Sequence, residues 1–308
     1  MQHLKRFGTP LRLYAILTII FFILIAIIPA SQVAMTAYNL SPSEYRILLF
    51  VVELPLAAVW FAAFYGYGRL ERYAGSIRKT TEGTAFGDMA RGVKYLAWGL
   101  LVPTMISLIL NGLANAHPGL HVPALITVNY LNVLFPIIAF GFIARGTHRI
   151  AVYQRLRPGL VSIQLMMAVF IVLGVVYCFL VGSHFDRSND IVALNPYHLP
   201  LWMLVFTIII PSLYAWFIGL FAVNEILMVA RHVKGVLYRQ ALQLLSGGMG
   251  LVIAALIALQ YLRSVIPRTG HLSLNAVLVA VYIIYMIAIA GFAMISIGAG
   301  RLQKIEEI

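Results

Sequence analysis

The feature that most constrains this chain is a series of eight apolar runs, each long enough to cross a lipid bilayer. They occupy residues 11–33, 46–68, 94–115, 123–144, 160–182, 200–226, 240–262 and 274–299. A membrane-spanning helix needs about 20 mostly apolar residues. Lipid offers the backbone no hydrogen-bond partner, so runs of this length form helices rather than open strands. The sequence therefore predicts an all-α integral membrane protein with eight transmembrane helices.

The charge content agrees with a lipid environment. Charged residues make up only 10% of the chain, whereas soluble domains carry roughly 25%. The net charge of +12 does not indicate a nucleic-acid partner, because the basic residues lie in short clusters between apolar runs and form no basic arm. The lipid bilayer is therefore the expected partner, and no nucleic-acid partner is predicted.

The distribution of lysine and arginine predicts the orientation. Eighteen of the 22 basic residues lie at the amino terminus, in the second-to-third, fourth-to-fifth and sixth-to-seventh loops, and in the carboxy-terminal tail. Loops rich in lysine and arginine stay on the cytoplasmic side. An odd number of spans would mix the two sets of loops. We therefore expect a multi-pass protein of the cell membrane with both termini in the cytoplasm.

A weak internal repeat indicates how the helices are organised. A shift of 156 residues places Pro55 on Pro211, Trp60 on Trp216 and Gly92 on Gly248. A unit of four spans is even, so both units would have the same orientation and be related by an axis along the membrane normal. The prediction is two tandem, parallel four-helix units, residues 1–157 and 158–308. The alternative is chance similarity among apolar helices.

One acidic residue, Glu53, lies well inside a predicted span. A carboxylate in hydrocarbon is costly and usually faces the interior of a helix bundle. At a rise of 1.5 Å per residue, four further polar residues reach roughly the same depth, in the outer half of the membrane. The candidate substrate-binding set is therefore Glu53, Asn129, Asn132, Thr104 and Ser107. The alternative is that these side chains join neighbouring helices by hydrogen bonds.

Metal, cofactor and catalytic motifs do not emerge from the sequence. Cys178 is the only cysteine, so a cysteine-based metal cluster is excluded. His117 and His121 have a chelating spacing, but Pro118 and Gly119 interrupt the helix that such a spacing needs. The phosphate-binding, nucleophile-elbow and zinc-protease motifs are absent. No catalytic residue, metal site or cofactor is predicted, and the sequence favours a non-enzymatic role.

Two functions are compatible with these patterns. The first is a transporter or channel-like component that binds a small solute or cation in the outer-half polar pocket. The alternative is a scaffold or sensor module that binds a protein partner at the cytoplasmic face, through helical extensions and the tail from Arg301 to Ile308. Its binding surface would be two apolar stripes on helical extensions predicted to end near Gly83 and Gly235, formed by Leu70, Tyr73 and Ile77 and by Leu227, Ala230 and Val233. A third function, an enzyme acting on lipid, would need a second ionisable group near Glu53, and the sequence offers none at that depth.

The cytoplasmic segment 69–93 is the longest predicted loop. It begins at Arg69, which the 156-residue shift relates to Glu225. These opposite charges could pair across the axis between the units. The alternative is that both side chains are solvated independently, since exposed ion pairs contribute little to stability.

Overall fold

The computed structural model describes residues 16–27, 41–116, 121–156, 164, 167–169, 171–172, 205–265 and 274–306. These residues form helices joined by short connections, and no strand occurs among them. Six of the helices are long and apolar enough to cross a membrane. The predicted all-α class is confirmed.

The seven helices match seven of the predicted apolar runs. They are α1 (Ile16–Ile27), α2 (Pro42–Ser76), α3 (Thr81–Ala116), α4 (His121–Tyr153), α5 (Ile210–His232), α6 (Val236–Val265) and α7 (Leu274–Glu306). A π-helical turn, Val205–Ile209, leads into α5. The predicted run 160–182 lies largely outside the described residues, so the total of eight spans stays a prediction.

Segment 69–93, predicted as the longest loop, is mostly helical. Helix α2 continues to Ser76, in agreement with the predicted helical extension, but α3 already begins at Thr81. The reason is packing, since Tyr73 and Phe86 are buried with their rings 4.9 Å apart. The many charged residues of this segment lie on the other faces of two helices whose apolar stripes bury one another.

Gly83 also differs from its predicted role at a helix end, because it lies inside the first turn of α3. Thr80 starts that helix as its N-cap, and its Oγ1 accepts a hydrogen bond from the Gly83 backbone N–H at 3.0 Å. Helix α2 begins similarly at Ser41. There a capping box joins Ser41 to Glu44, and Pro42 occupies the first turn.

The six long helices close into a ring. Each packs on the next in chain order, from α2 to α7, and α7 packs back on α2. Helix α1 packs against α2, where the rings of Phe21 and Trp60 are 4.8 Å apart.

Helices joined by short connections are antiparallel, so α3 runs opposite to α2 and α4, and α6 runs opposite to α5 and α7. Thr147 and Glu225, near the ends of α4 and α5, are in contact, and Gly300 and Arg69, near the ends of α7 and α2, are also neighbours. Helices α2, α4, α5 and α7 therefore run one way, and α3 and α6 run the other. The ring surrounds the region where the candidate site lies.

Glycines let the helices of the α3–α4 pair approach closely. A Cβ atom at Gly92 would lie 2.6 Å from the Ala139 carbonyl oxygen, and one at Gly146 would lie 2.5 Å from the Ala85 carbonyl oxygen. Real Cβ atoms do not reach such distances. Small residues at these places therefore set the separation of the two helices, as is common in membrane bundles.

The α6–α7 pair has the same kind of contact. A Cβ atom at Gly248 would lie 2.5 Å from the Gly291 carbonyl oxygen, and one at Gly298 would lie 2.8 Å from the Ala241 carbonyl oxygen. Gly248 and Ala241 are 156 residues after Gly92 and Ala85. The two helix pairs thus pack through corresponding positions.

Candidate functional site

A cavity of about 90 Å³ lies between the six long helices, and every one of them contributes to its wall. Sites for small molecules in helical proteins are commonly built in this way, between the helices of a bundle. The lining is mainly aliphatic and aromatic. Its larger side chains include Leu96, Leu100, Phe140, Trp216, Leu256, Ile284 and Phe292.

A few neutral polar groups interrupt this apolar wall. Gln260 Nε2 donates a hydrogen bond to Ser212 Oγ at 3.0 Å, which joins α6 to α5. Thr104 Oγ1 donates to the carbonyl oxygen of Leu100 at 2.7 Å. Asn132 and Tyr285 also line the cavity. None of the described residues in the wall is charged, so the wall suits an uncharged molecule with an apolar body and few hydrogen-bonding groups.

Two prolines add backbone acceptors on one side of the cavity. Pro103 and Pro136 lie inside α3 and α4. Proline has no N–H to bond the carbonyl four residues earlier in a helix. Those carbonyls belong to Gly99 and Asn132, which both line the cavity. The α3–α4 side therefore carries carbonyl groups that lack their usual helical donor.

The two halves of the wall are formed by corresponding positions. Each lining residue on α2 and α3 is followed 156 residues later by a lining residue on α5 or α6, as with Thr104 and Gln260. Each lining residue on α4 is followed 152 residues later by one on α7, as with Phe140 and Phe292. The other pairs are Leu56/Ser212, Val59/Ala215, Leu96/Val252, Gly99/Ala255, Leu100/Leu256, Asn132/Ile284, Val133/Tyr285 and Pro136/Ala288.

Some residues of the predicted pocket line the cavity and others do not. Thr104 and Asn132 line the cavity together. Glu53 and Ser107 are half-buried and do not line it. Each lies three residues, about one helical turn, from a lining residue, and both are displaced towards the same end of the bundle. The side chain of Asn129 lies outside the described residues.

Other lining residues, among them Ser212, Trp216, Gln260 and Tyr285, were missed by the sequence reasoning. The repeat held the signal that could have found one of them. Gln260 is 156 residues after Thr104, which was in the predicted set. The predicted pocket was centred on the acidic Glu53, and the second unit has no acidic counterpart because Ile209 lies at the corresponding position.

A second polar cluster joins α4 to α5. Its centre is Glu225 on α5, which is 2% exposed. Thr147 Oγ1 on α4 donates a hydrogen bond to Glu225 Oε2 at 2.9 Å. His148 Nδ1 lies 2.9 Å from Glu225 Oε1. Arg69 instead donates from Nη2 to the Tyr65 hydroxyl at 2.9 Å. Neither interpretation of the Arg69–Glu225 pair is therefore correct. Helix α5 packs on α4, and α2 lies on the opposite side of the ring.

No group of histidine, cysteine and acidic side chains that could hold a metal ion occurs in the part of the chain that the structure describes. No family model, curated protein or solved structure matches the chain.

Proposed function

We propose that the chain is a multi-pass membrane protein that binds a small uncharged solute in its central cavity, as a transporter or channel-like component. The observation that carries this proposal is that all six long apolar helices meet at one cavity whose wall is apolar with a few neutral polar groups. Membrane proteins that move solutes place their sites between helices, where internal repeats meet and helices are interrupted. Pro103 and Pro136 provide such interruptions.

We further propose two tandem units, residues 1–157 and 158–308, related by an axis through the cavity and together providing eight spans. The support is the ring order of the helices, the paired lining positions and the matching glycine contacts. The spacing falls from 156 to 152 residues because the chain from Gln260 to Ile284 is four residues shorter than the chain from Thr104 to Asn132. Each of these segments contains a connection between two helices, where changes of length are commonly tolerated.

An uncharged solute is favoured over a cation by the composition of the wall. A cation in an apolar cavity needs a carboxylate or several oxygen ligands. Glu53, the one acid that the sequence placed in the pocket, lies about a turn away from the lining residue Leu56. The groups present suit a solute with an apolar body and one hydroxyl or amide group. The apolar body would contact Trp216, Phe140 and Phe292, and the polar group would face Ser212 and Asn132.

The scaffold function has less support. Its surface required an exposed apolar stripe on the extensions of two helices. Leu70, Tyr73 and Ala230 are buried at 0–5% exposure, and Ile77 and Val233 pack against the core. Five of the six stripe residues therefore pack inside the bundle, and the sixth, Leu227, is half-buried, so little of either stripe is left for a partner protein.

The proposal is tested with a substitution that fills the cavity and a matched control substitution on the outer surface of the same helix. Ala288 lines the cavity, and Ala290, on the same helix, is exposed and lines an outer groove. Thermal unfolding of the protein in nanodiscs is followed with butanol, benzyl alcohol, benzamide and tetramethylammonium. A ligand that binds the folded state raises the unfolding midpoint. We expect one of the three uncharged probes to do so in wild type and in Ala290→Leu, and not in Ala288→Leu.

Two results contradict the proposal. The first is that no uncharged probe stabilises wild type more than Ala288→Leu. The second is that only tetramethylammonium does so, which would indicate a cation site.

Flux of the stabilising probe into proteoliposomes then separates passage from binding, since a transporter or channel accelerates the flux and Ala288→Leu abolishes that acceleration.

A further inference from the structure

We propose that three arginines gathered around one buried aspartate form a site for a phosphate group, which a lipid headgroup or a free phosphate ester would supply. The aspartate is Asp88 on α3, whose side chain is 4% exposed. Its Oδ2 lies 2.6 Å from Arg149 Nη1 and 3.4 Å from Arg145 Nε, and its Oδ1 lies 3.4 Å from Arg91 Nη1. This site is separate from the central cavity and does not depend on the solute function.

The packing of α3 against α4 creates the cluster. Gly146 lies directly against the Ala85 carbonyl, so the two helix backbones are close where Asp88 faces α4. Arg145 and Arg149 are four residues apart and therefore share one face of α4. Arg91 is three residues after Asp88 on α3. Three guanidinium groups converge from two helices on a single carboxylate.

The charges of the cluster do not balance. One carboxylate faces three guanidinium groups, so two positive charges remain. A buried carboxylate needs a partner, and the short contact with Arg149 already provides one. Each guanidinium carries five N–H donors, and the side chains of Arg91 and Arg145 are 66% and 60% exposed. Much of each side chain is therefore accessible to a ligand, and a guanidinium group can bind phosphate oxygens in pairs.

The α6–α7 pair shows that such a cluster is not needed for packing. It has the matching glycine contacts at Gly248 and Gly298. At the positions corresponding to Asp88, Arg91 and Arg145 it carries Leu244, Gly247 and Ile297. The counterpart of Arg149 is Arg301, which donates to Gln240 Oε1 at 3.0 Å. A cluster that the fold can omit, and that keeps exposed cationic donors, is better explained by a ligand than by packing.

Phosphate is the anion that fits the location. The cluster lies at the end of the bundle that carries the α2–α3 and α5–α6 connections, with most of the lysine and arginine of the chain. This face is the one expected in the cytoplasm. There the chain meets anionic lipid headgroups and soluble phosphate esters. A phosphate monoester carries about two negative charges at neutral pH and matches the remaining charge, whereas the phosphodiester of a lipid headgroup neutralises one of the two.

The experiment separates the two sources of phosphate. The full chain is placed in nanodiscs of phosphatidylcholine and titrated with inorganic phosphate at constant ionic strength. In a second arm, phosphatidylglycerol replaces part of the lipid and no phosphate is added. Thermal unfolding is followed in wild type, Arg91→Gln, Arg145→Gln and the control Arg301→Gln, which removes the same charge from the same face.

We expect stabilisation in at least one arm. Loss of one charged hydrogen-bond donor weakens binding about tenfold, so Arg91→Gln and Arg145→Gln need about ten times more phosphate or phosphatidylglycerol. Arg301→Gln behaves as wild type. Stabilisation by inorganic phosphate assigns a soluble ester, and stabilisation by phosphatidylglycerol alone assigns a lipid headgroup. Arg91 is the most exposed of the three, and its replacement leaves Asp88 with two partners, so this variant keeps the test available should Arg145→Gln fail to fold.

The proposal is overturned if neither arm stabilises wild type. It is also overturned if Arg301→Gln loses as much stabilisation as Arg91→Gln, because the effect would then come from the overall charge of the face.

Discussion

The Tyr282 hydroxyl donates a hydrogen bond to the Val51 carbonyl oxygen at 2.6 Å. Val51 lies four residues before Pro55 on α2. Proline cannot supply the N–H that this carbonyl would accept in an uninterrupted helix. A side chain of α7 therefore replaces the missing donor, and the same bond ties the last helix of the ring to the first.

Replacing Tyr282 by phenylalanine should destabilise the protein by about 1 kcal/mol, the usual net value of a hydrogen bond. In Pro55→Ala the helix regains its own donor for Val51, so the same replacement should cost clearly less in that background. The measurement is thermal unfolding of the four proteins of this double-mutant cycle in one detergent. Tyr214→Phe, at a residue exposed on α5, is the control. Equal costs in both backgrounds would contradict the link between Tyr282 and Pro55.

Gly146→Ala should separate α3 from α4. The added Cβ atom would meet the Ala85 carbonyl at 2.5 Å and the Met89 backbone nitrogen at 3.1 Å. Overpacking of this kind costs about 1–3 kcal/mol. Gly141→Ala on the same helix has nothing within 4 Å of its Cβ and should be neutral or slightly stabilising, since alanine favours helix. Thermal unfolding of both variants tests this, and equal stability would show that the close approach is not tight.

Thr147→Val should weaken the junction between α4 and α5. Valine keeps the shape of threonine but removes the hydroxyl that donates to the buried carboxylate of Glu225. A buried carboxylate that loses a hydrogen-bond donor costs about 1–3 kcal/mol, so we expect a loss of stability in that range. Thr84→Val, at an exposed position with a local backbone bond, should cost little. An unchanged midpoint for Thr147→Val would contradict a structural role for this bond.

Labelling of single cysteines tests the orientation. In a Cys178→Ser background, Ser43→Cys places a thiol before the body of α2, and Lys234→Cys places one between α5 and α6. Both positions are exposed. Basic connections stay in the cytoplasm, so a membrane-impermeant maleimide should label Ser43→Cys on intact cells and Lys234→Cys only after permeabilisation. The reverse pattern would invert the proposed topology.

The sequence by itself determined where most helices lie. A run of about 20 apolar residues has one way to satisfy its backbone in lipid, so the cores of α2 to α7 follow from hydropathy alone. Helix starts were also readable in principle, as in the Ser41-Pro42 capping signal. Helix ends were only partly readable. The apolar stripe of Leu70, Tyr73 and Ile77 predicted the extension of α2, but the start of α3 at Thr81 depends on the packing of Tyr73 against Phe86.

Only the tertiary structure decided which side chains meet. The depth of Glu53 could be counted, but the face it presents depends on the neighbours of α2, and the cavity formed about one turn away. Thr147 and Glu225 are far apart in the sequence, as are Asp88 and Arg149. Each pair meets because α4 lies between α3 and α5 in the ring. Hydropathy specifies helices locally, whereas the partner of a polar side chain depends on the order in which those helices pack.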